Sequence, residues 1–176
     1  MIPESKSTII SLIDLQERLC GAIERSKEIL PRIKILLEGA KTLGIPVVAT
    51  EQYPQGLGAT LPELKEILPP DTAFLSKTSF SCFGTEDYRK ELAKMSKGAL
   101  VLVGVESHVC VLQTAIDAAS RGYEVYVPED CVASRRESDQ TAALAFMRSS
   151  GIHIVTSEML LFMLLRDASH PDFKTI

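Results

Sequence analysis

Six short runs along the chain are apolar almost throughout: TIISLID (8–14), IPVVAT (45–50), TAFLSK (72–77), ALVLVGV (99–105), YEVYVP (123–128) and IHIVT (152–156). They are rich in β-branched residues and do not alternate with polar ones. That pattern predicts strands covered on both faces, as in a parallel sheet. Most gaps between them carry a helical period. SKEILPRIKILLEGAKTLG (26–44) places Ile29, Ile33, Leu36, Leu37 and Ala40 on one face and ends at Gly44, ahead of Pro46. Its Pro31 is expected in the first turn, where a missing N–H does no harm. TEDYRKELAKM (85–95) starts at an N-cap residue, Thr85. HVCVLQTAIDAASRG (108–122) runs to Gly122, and SDQTAALAFMRSSG (138–151) opens on Ser138. SEMLLFMLLRDA (157–168) closes the series. The gap 51–71 is rich in Gly and Pro and holds at most one short helix, LPELKEIL.

Strand–helix alternation of this kind, with right-handed crossovers, predicts a single α/β domain over 1–176, a three-layer α/β/α sandwich. In such sheets ligands bind beyond the carboxyl ends of the strands.

Composition narrows the function classes. A chain of 176 residues with 45% apolar and 24% charged positions is an ordinary globular domain with a real core. The net charge of −4 is spread along the sequence without a basic stripe, which argues against nucleic-acid binding. The start, MIPESKSTII, does not read as a signal peptide, and MLLFMLL (159–165) is too short to span a bilayer, so no membrane role is expected. Cys20, Cys82, Cys110 and Cys131 form no CxxC pair and no zinc spacing. They are expected as free thiols in a cytoplasmic protein. The last helix is apolar nearly all round, so it is either fully buried or packed on a second subunit.

Three reactive side chains fall at expected strand ends. Asp14 closes strand one, Lys77 closes strand three, and Cys110 follows strand four at the head of a helix. A charge after five or six apolar residues is costly unless paired, and Asp14 with Lys77 could offset that cost mutually. A helix N-terminus and an ammonium both favour thiolate and are expected to lower the thiol pKa. A carboxylate beside the sulfur could take its proton. Each residue alone also has a structural reading: a buried core cysteine, a turn-forming Asp, a solvated Lys.

Five stretches carry a resemblance: SLIDLQ (11–16), GIPVVATEQYPQGLG (44–58), FLSKTSFS (74–81), LVGVESHVCVLQTAIDA (102–118) and VYVPEDCVAS (125–134). In this order they resemble the isochorismatase-like cysteine hydrolases, with TEQYPQGLG and the tail DASHPDFK closest to the isochorismatase domain-containing branch. The resemblance implies a Rossmann-like six-stranded parallel sheet of order 3-2-1-4-5-6 and a homo-oligomer. It also implies an Asp–Lys–Cys triad: Cys110 as nucleophile, Asp14 as general base and acid, Lys77 as the stabiliser of the thiolate. A cis peptide is implied between Val105 and Glu106, turning the Glu106 N–H toward the oxyanion that the Cys110 N–H also faces. The metal-dependent branch carries Asp-x-His after strand two. This chain has Thr50, Glu51, Gln52 and Tyr53 there, and His108, His153 and His170 are scattered, so no metal and no other cofactor are expected.

The expected activity is hydrolysis of a small amide-like substrate through a thioester. The alternatives are a thiol redox sensor or a non-catalytic interaction protein on the same scaffold. Gln16, Tyr53, Phe80 and Phe83 are candidate pocket residues. Cys82, in a loop expected to be exposed, is a candidate redox thiol. His108, two residues from Cys110, points away from it on a helix and is not expected to act with it.

Overall fold

Strand β1 (Thr8–Ile13) is buried along its whole length, and its side chains divide by parity. Ile10 and Leu12 enter one apolar cluster, Ile9 and Ile13 another. β4 (Ala99–Val105) repeats the division: Val101, Val103 and Val105 face the first cluster, Leu100 and Leu102 the second. A two-residue period inside a wholly apolar run therefore builds two cores, one on each face of the sheet. The computed structural model describes residues 2–95 and 98–176. With β2 (Val47–Gln52), β3 (Ala73–Lys77), β5 (Glu124–Pro128), β6 (Val132–Ala133) and β7 (His153–Val155) it forms one parallel sheet. The main path runs β3-β2-β1-β4-β5-β7, and β6 pairs β4 off that path.

The first core packs α1 (Glu17–Ala22), α2 (Ser26–Thr42) and α8 (Ser157–Leu165); the second packs α5 (Glu86–Met95), α6 (Leu112–Ser120) and α7 (Glu137–Ser149). Short helices α3 (Pro54–Leu57) and α4 (Pro62–Lys65) punctuate the segment after β2. The three-layer architecture expected from the sequence is thus present, with seven strands where six were expected. The additional strand is two residues long, too short to leave a periodic trace. Helices α1 and α3 were not anticipated, and α4 is shorter than LPELKEIL.

Pro31 lies in the second turn of α2, not the first. The bond it forfeits would have ended on the Lys27 carbonyl. Both residues are exposed, so water can serve that oxygen and the helix tolerates the loss. Ser138 lies inside α7, which begins at Glu137.

The sheet's two central strands approach very closely at Gly104, whose φ is +122°. A Cβ there would stand 2.1 Å from the Ile13 carbonyl oxygen, in backbone that cannot move aside. Gly104→Ala is therefore expected to cost about 2–5 kcal/mol, combining a strained φ with overpacking. Urea unfolding reads this directly; a loss below about 1 kcal/mol would show that the strands can part.

Helix α8 buries Leu160, Leu161, Leu164 and Leu165 but exposes Met159 and Phe162 at 48% and 51%, and α2 exposes Ile35 at 50%. Among the described residues, no helix is long and apolar enough to cross a membrane.

Candidate active site

Strand register sets the site. Ile13 pairs with Thr50 and Gln52 with Lys77, so the carboxyl ends of β1, β2 and β3 finish side by side. At Asp14 the chain leaves β1 with φ +55°, a left-handed conformation that Asp enters more readily than most residues. The Asp14 N–H still donates to the Thr50 carbonyl at 3.1 Å. The Thr50 hydroxyl donates to Asp14 Oδ1 at 2.7 Å, and the Lys77 ammonium donates to Asp14 Oδ2 at 2.7 Å. Lys77 also donates to Gln52 Oε1 at 2.6 Å, to the Ser79 and Phe80 carbonyls at 3.2 Å each, and to Cys110 Sγ at 3.5 Å. The Lys77 and Asp14 side chains are 1% and 0% exposed.

Cys110 arrives from the other side. After β4 the Val105–Glu106 peptide is cis, and Ser107–Val111 form a π-turn that leads into α6. The Glu106 carbonyl accepts from the N–H groups of Val109 and Val111 at 3.1 and 3.2 Å. Asp14, Lys77 and Cys110, separated by 63 and 33 positions in the chain, thus meet at one rim of the sheet.

The electrostatics differ from the expectation of a depressed thiol. Burial pushes the Cys110 thiol up, and the Asp14 carboxylate that it faces and hydrogen-bonds adds to the rise; Lys77 opposes both without prevailing. Burial also pulls the Lys77 ammonium down, but Asp14, then Cys110 and Cys82, outweigh it and leave its pKa raised. The resting site therefore holds a neutral thiol beside a tightly bound ammonium, with a carboxylate placed to remove the proton.

Cys82 is fully buried, in contrast to the exposed loop expected for it. Its N–H donates to the Thr114 hydroxyl at 3.0 Å, and its Sγ lies 3.8 Å from Thr50 Oγ1. Burial raises its thiol from 9.0 to about 11, and burial does the same for Cys20. In the unfolded chain these thiols ionise from pH 9.0, whereas folded they keep their protons until about 11. Stability is therefore expected in full below pH 9 and declining between 9 and 11, with the raised Lys77 adding to the loss above its ordinary 10.5. Melting curves across this range check the decline. A Cys20→Ala, Cys82→Ala double variant should reduce its slope without abolishing it, because the Cys110 and Cys131 thiols are raised by burial as well.

The candidate pocket residues separate into two groups. Tyr53 and Phe80 are 55% and 53% exposed beside the site. The Tyr53 N–H donates to the Lys77 carbonyl at 2.9 Å, and Phe80 offers its carbonyl to the Lys77 ammonium. Tyr53, Gln55, Ser79 and Thr85 help line a cavity of about 400 Å³ against Lys77. Phe80, Gln16 and Phe83 do not line it. Gln16 is fully buried and spends its amide on the β2 end: Nε2 donates to the Gln52 and Gly58 carbonyls, and Oε1 accepts from the Gln52 N–H at 2.7 Å. Phe83 packs edge-on to Tyr88 at 5.2 Å, with Arg121 over its ring. His108 turns to Ser134, Nδ1 to Oγ at 2.9 Å.

Sequence reasoning missed Thr50 and Gln52 as participants and the carboxylate of Glu106. Thr50 and Gln52 stand two apart at the end of an apolar strand, so they share a face. That spacing was the available signal. Among the described residues, no three His, Cys, Asp or Glu side chains gather as a metal-binding group.

The model of the isochorismatase domain matches residues 8–159. Isochorismatase domain-containing protein 2A of Mus musculus is 42% identical over 179 residues, covering 100% of this chain and 82% of the mouse protein. The structure of MAR1 ribonuclease from Caenorhabditis elegans superposes with a TM-score of 0.94 at 36% identity, over 99% of this chain and 90% of the worm chain. YcaC of Escherichia coli, described as an octameric hydrolase of unknown specificity, shares the fold at 22% identity and a TM-score of 0.87, over 99% and 94% of the two chains. With a family model over most of its length and a full-length relative at this identity, the chain belongs to the isochorismatase-like hydrolase family.

Proposed function

We propose that this chain is a metal-independent cysteine hydrolase that cleaves a small amide-like substrate through a thioester on Cys110. The observation that carries the reading is the Lys77 ammonium, 2.7 Å from the Asp14 carboxylate and 3.5 Å from the Cys110 sulfur. As the neutral thiol attacks the acyl carbon, Asp14 takes its proton, and Lys77 compensates the charge that develops on sulfur. The Glu106 and Cys110 N–H groups face the oxyanion of the tetrahedral intermediate. Collapse expels the amine, which receives the proton from Asp14. Water, deprotonated by Asp14, then attacks the thioester and releases the acid and the thiol.

A panel of primary amides and N-carbamoyl compounds, assayed for ammonia release with wild type and Cys110→Ala side by side, tests this reading. Equal release by both proteins would refute it. An RNA oligonucleotide belongs in the panel because the worm neighbour is named a ribonuclease. A net charge of −4 gives this chain no general attraction for phosphate, which favours the amide.

A redox role has less support. Cys82 is buried and keeps its proton to about pH 11, whereas redox-active thiols are accessible and acidic. A homo-oligomer completes the proposal: Ile35, Met159 and Phe162 leave an apolar face on α2 and α8 that suits a second copy. Sedimentation giving only a monomer would remove that part.

A further inference from the structure

We infer that Arg135 is a positioning residue for the oxyanion site, acting through Glu106; this rests on the thioester reading above. Glu106 carries one of the two N–H groups assigned to the oxyanion, and its side chain is only 8% exposed. Its Oε2 accepts twice from Arg135, from the backbone N–H at 2.9 Å and from Nε at 3.1 Å. Its carbonyl accepts from Val109 and Val111. Glu106 is thus held at both ends, and the orientation of its backbone depends on that grip.

The segment that supplies Arg135 is itself anchored on two sides. Val132 and Ala133 of β6 pair with Gly104 and Val105, so the pairing runs up to Glu106 and brings Arg135, two residues past β6, within hydrogen-bond reach of its carboxylate. Gln140 of α7 donates to the Val132 carbonyl at 3.1 Å, and Ser134 engages His108 in the π-turn. Charge gives a second reason for the pair. A buried carboxylate four residues ahead of the nucleophile would repel an oxyanion, and the guanidinium against it reduces that repulsion. The Arg135 side chain is 63% exposed, so replacing it opens no core cavity.

Two probes separate positioning from general structural support. The acylation burst with p-nitrophenyl acetate forms a thioester, releases p-nitrophenolate and needs the oxyanion site. Alkylation by iodoacetamide forms a thioether, releases iodide and creates no oxyanion. Arg135→Ala is expected to slow the burst by about tenfold to a hundredfold while changing the alkylation rate by no more than about twofold. Arg135→Lys, which keeps the charge without the Nε–H, should recover part of the burst rate. In a Glu106→Ala background, which removes the acceptor, Arg135→Ala should cost no more than about twofold further.

An equal fall in burst and alkylation overturns the inference in favour of a structural role. An undiminished Arg135→Ala effect in the Glu106→Ala background overturns it in favour of direct contact with ligand. Absence of any burst in wild type removes the acyl-enzyme reading, and this inference with it.

Discussion

Cys110→Ala should reduce ammonia release from the best amide of the panel by about 10³-fold or more while leaving the protein folded. The argument for the rate is chemical: without sulfur no acyl-enzyme forms, and direct attack by water on an amide must replace two easier steps by one hard one. The argument for the fold is steric. Cys110 is 6% exposed at the edge of the second core, and alanine removes a single heavy atom there, a change worth about 1 kcal/mol. Cys110→Ser should also be inactive, since a hydroxyl is far less acidic than a thiol and Asp14 would have to remove a much more tightly held proton. Ammonia release and a melting curve on the same preparations check both parts. An alanine variant with more than about a tenth of wild-type turnover would rule out covalent catalysis by this residue.

The second large effect concerns the ion pair. Asp14 and Lys77 are both almost fully withdrawn from water, 2.7 Å apart. Lys77→Met leaves the Asp14 charge buried with the Thr50 hydroxyl and the weakly donating Cys110 thiol in place of an ammonium. Asp14→Asn leaves an ammonium facing neutral oxygens. Either change strands one charge in a low-dielectric site, expected to cost about 3–5 kcal/mol. The double variant Asp14→Asn, Lys77→Met carries neither charge and should recover much of that stability. It should stay inactive, because both the proton acceptor and the compensating cation are gone. Urea unfolding of the two single variants and the double variant, with turnover measured on each, closes the cycle. Single variants that lose less than about 1 kcal/mol would show that water reaches the pair.

A raised thiol pKa bears on how such a site works. Lys77 sits closer to Asp14 than to the sulfur, and burial weighs on the thiol. Under the proposed mechanism the proton would then leave Cys110 as the sulfur attacks, not beforehand. Reasoning from the helix N-terminus and a nearby ammonium predicted the opposite. It lacked two quantities that only coordinates supply: the depth of burial, and which partner the ammonium prefers.

Asp14 and Lys77 were legible because each ends an apolar run at a strand end, where α/β sheets open their crevice, and Cys110 because it heads the helical segment after β4; the family resemblance joined the three into a triad. The pocket was less legible. Gln16, two residues after Asp14, was a pocket candidate, yet it ties the β2 end and the 58 carbonyl together. Phe83 was another, and it went into the core against Tyr88. A side chain in a loop can turn to either side, and local pattern does not say which.

By itself the sequence determined the layered α/β architecture and the rim on which acid, ammonium and thiol gather. Those follow from the apolar periodicities that make strands and helices and from right-handed crossovers between them. Only the tertiary structure decided the protonation of the thiol, the burial of Cys82 and the two-residue strand β6 that brings Arg135 to Glu106. These depend on distances between segments remote in the chain, and burial and Coulomb energies vary steeply with distance while leaving no period in the sequence.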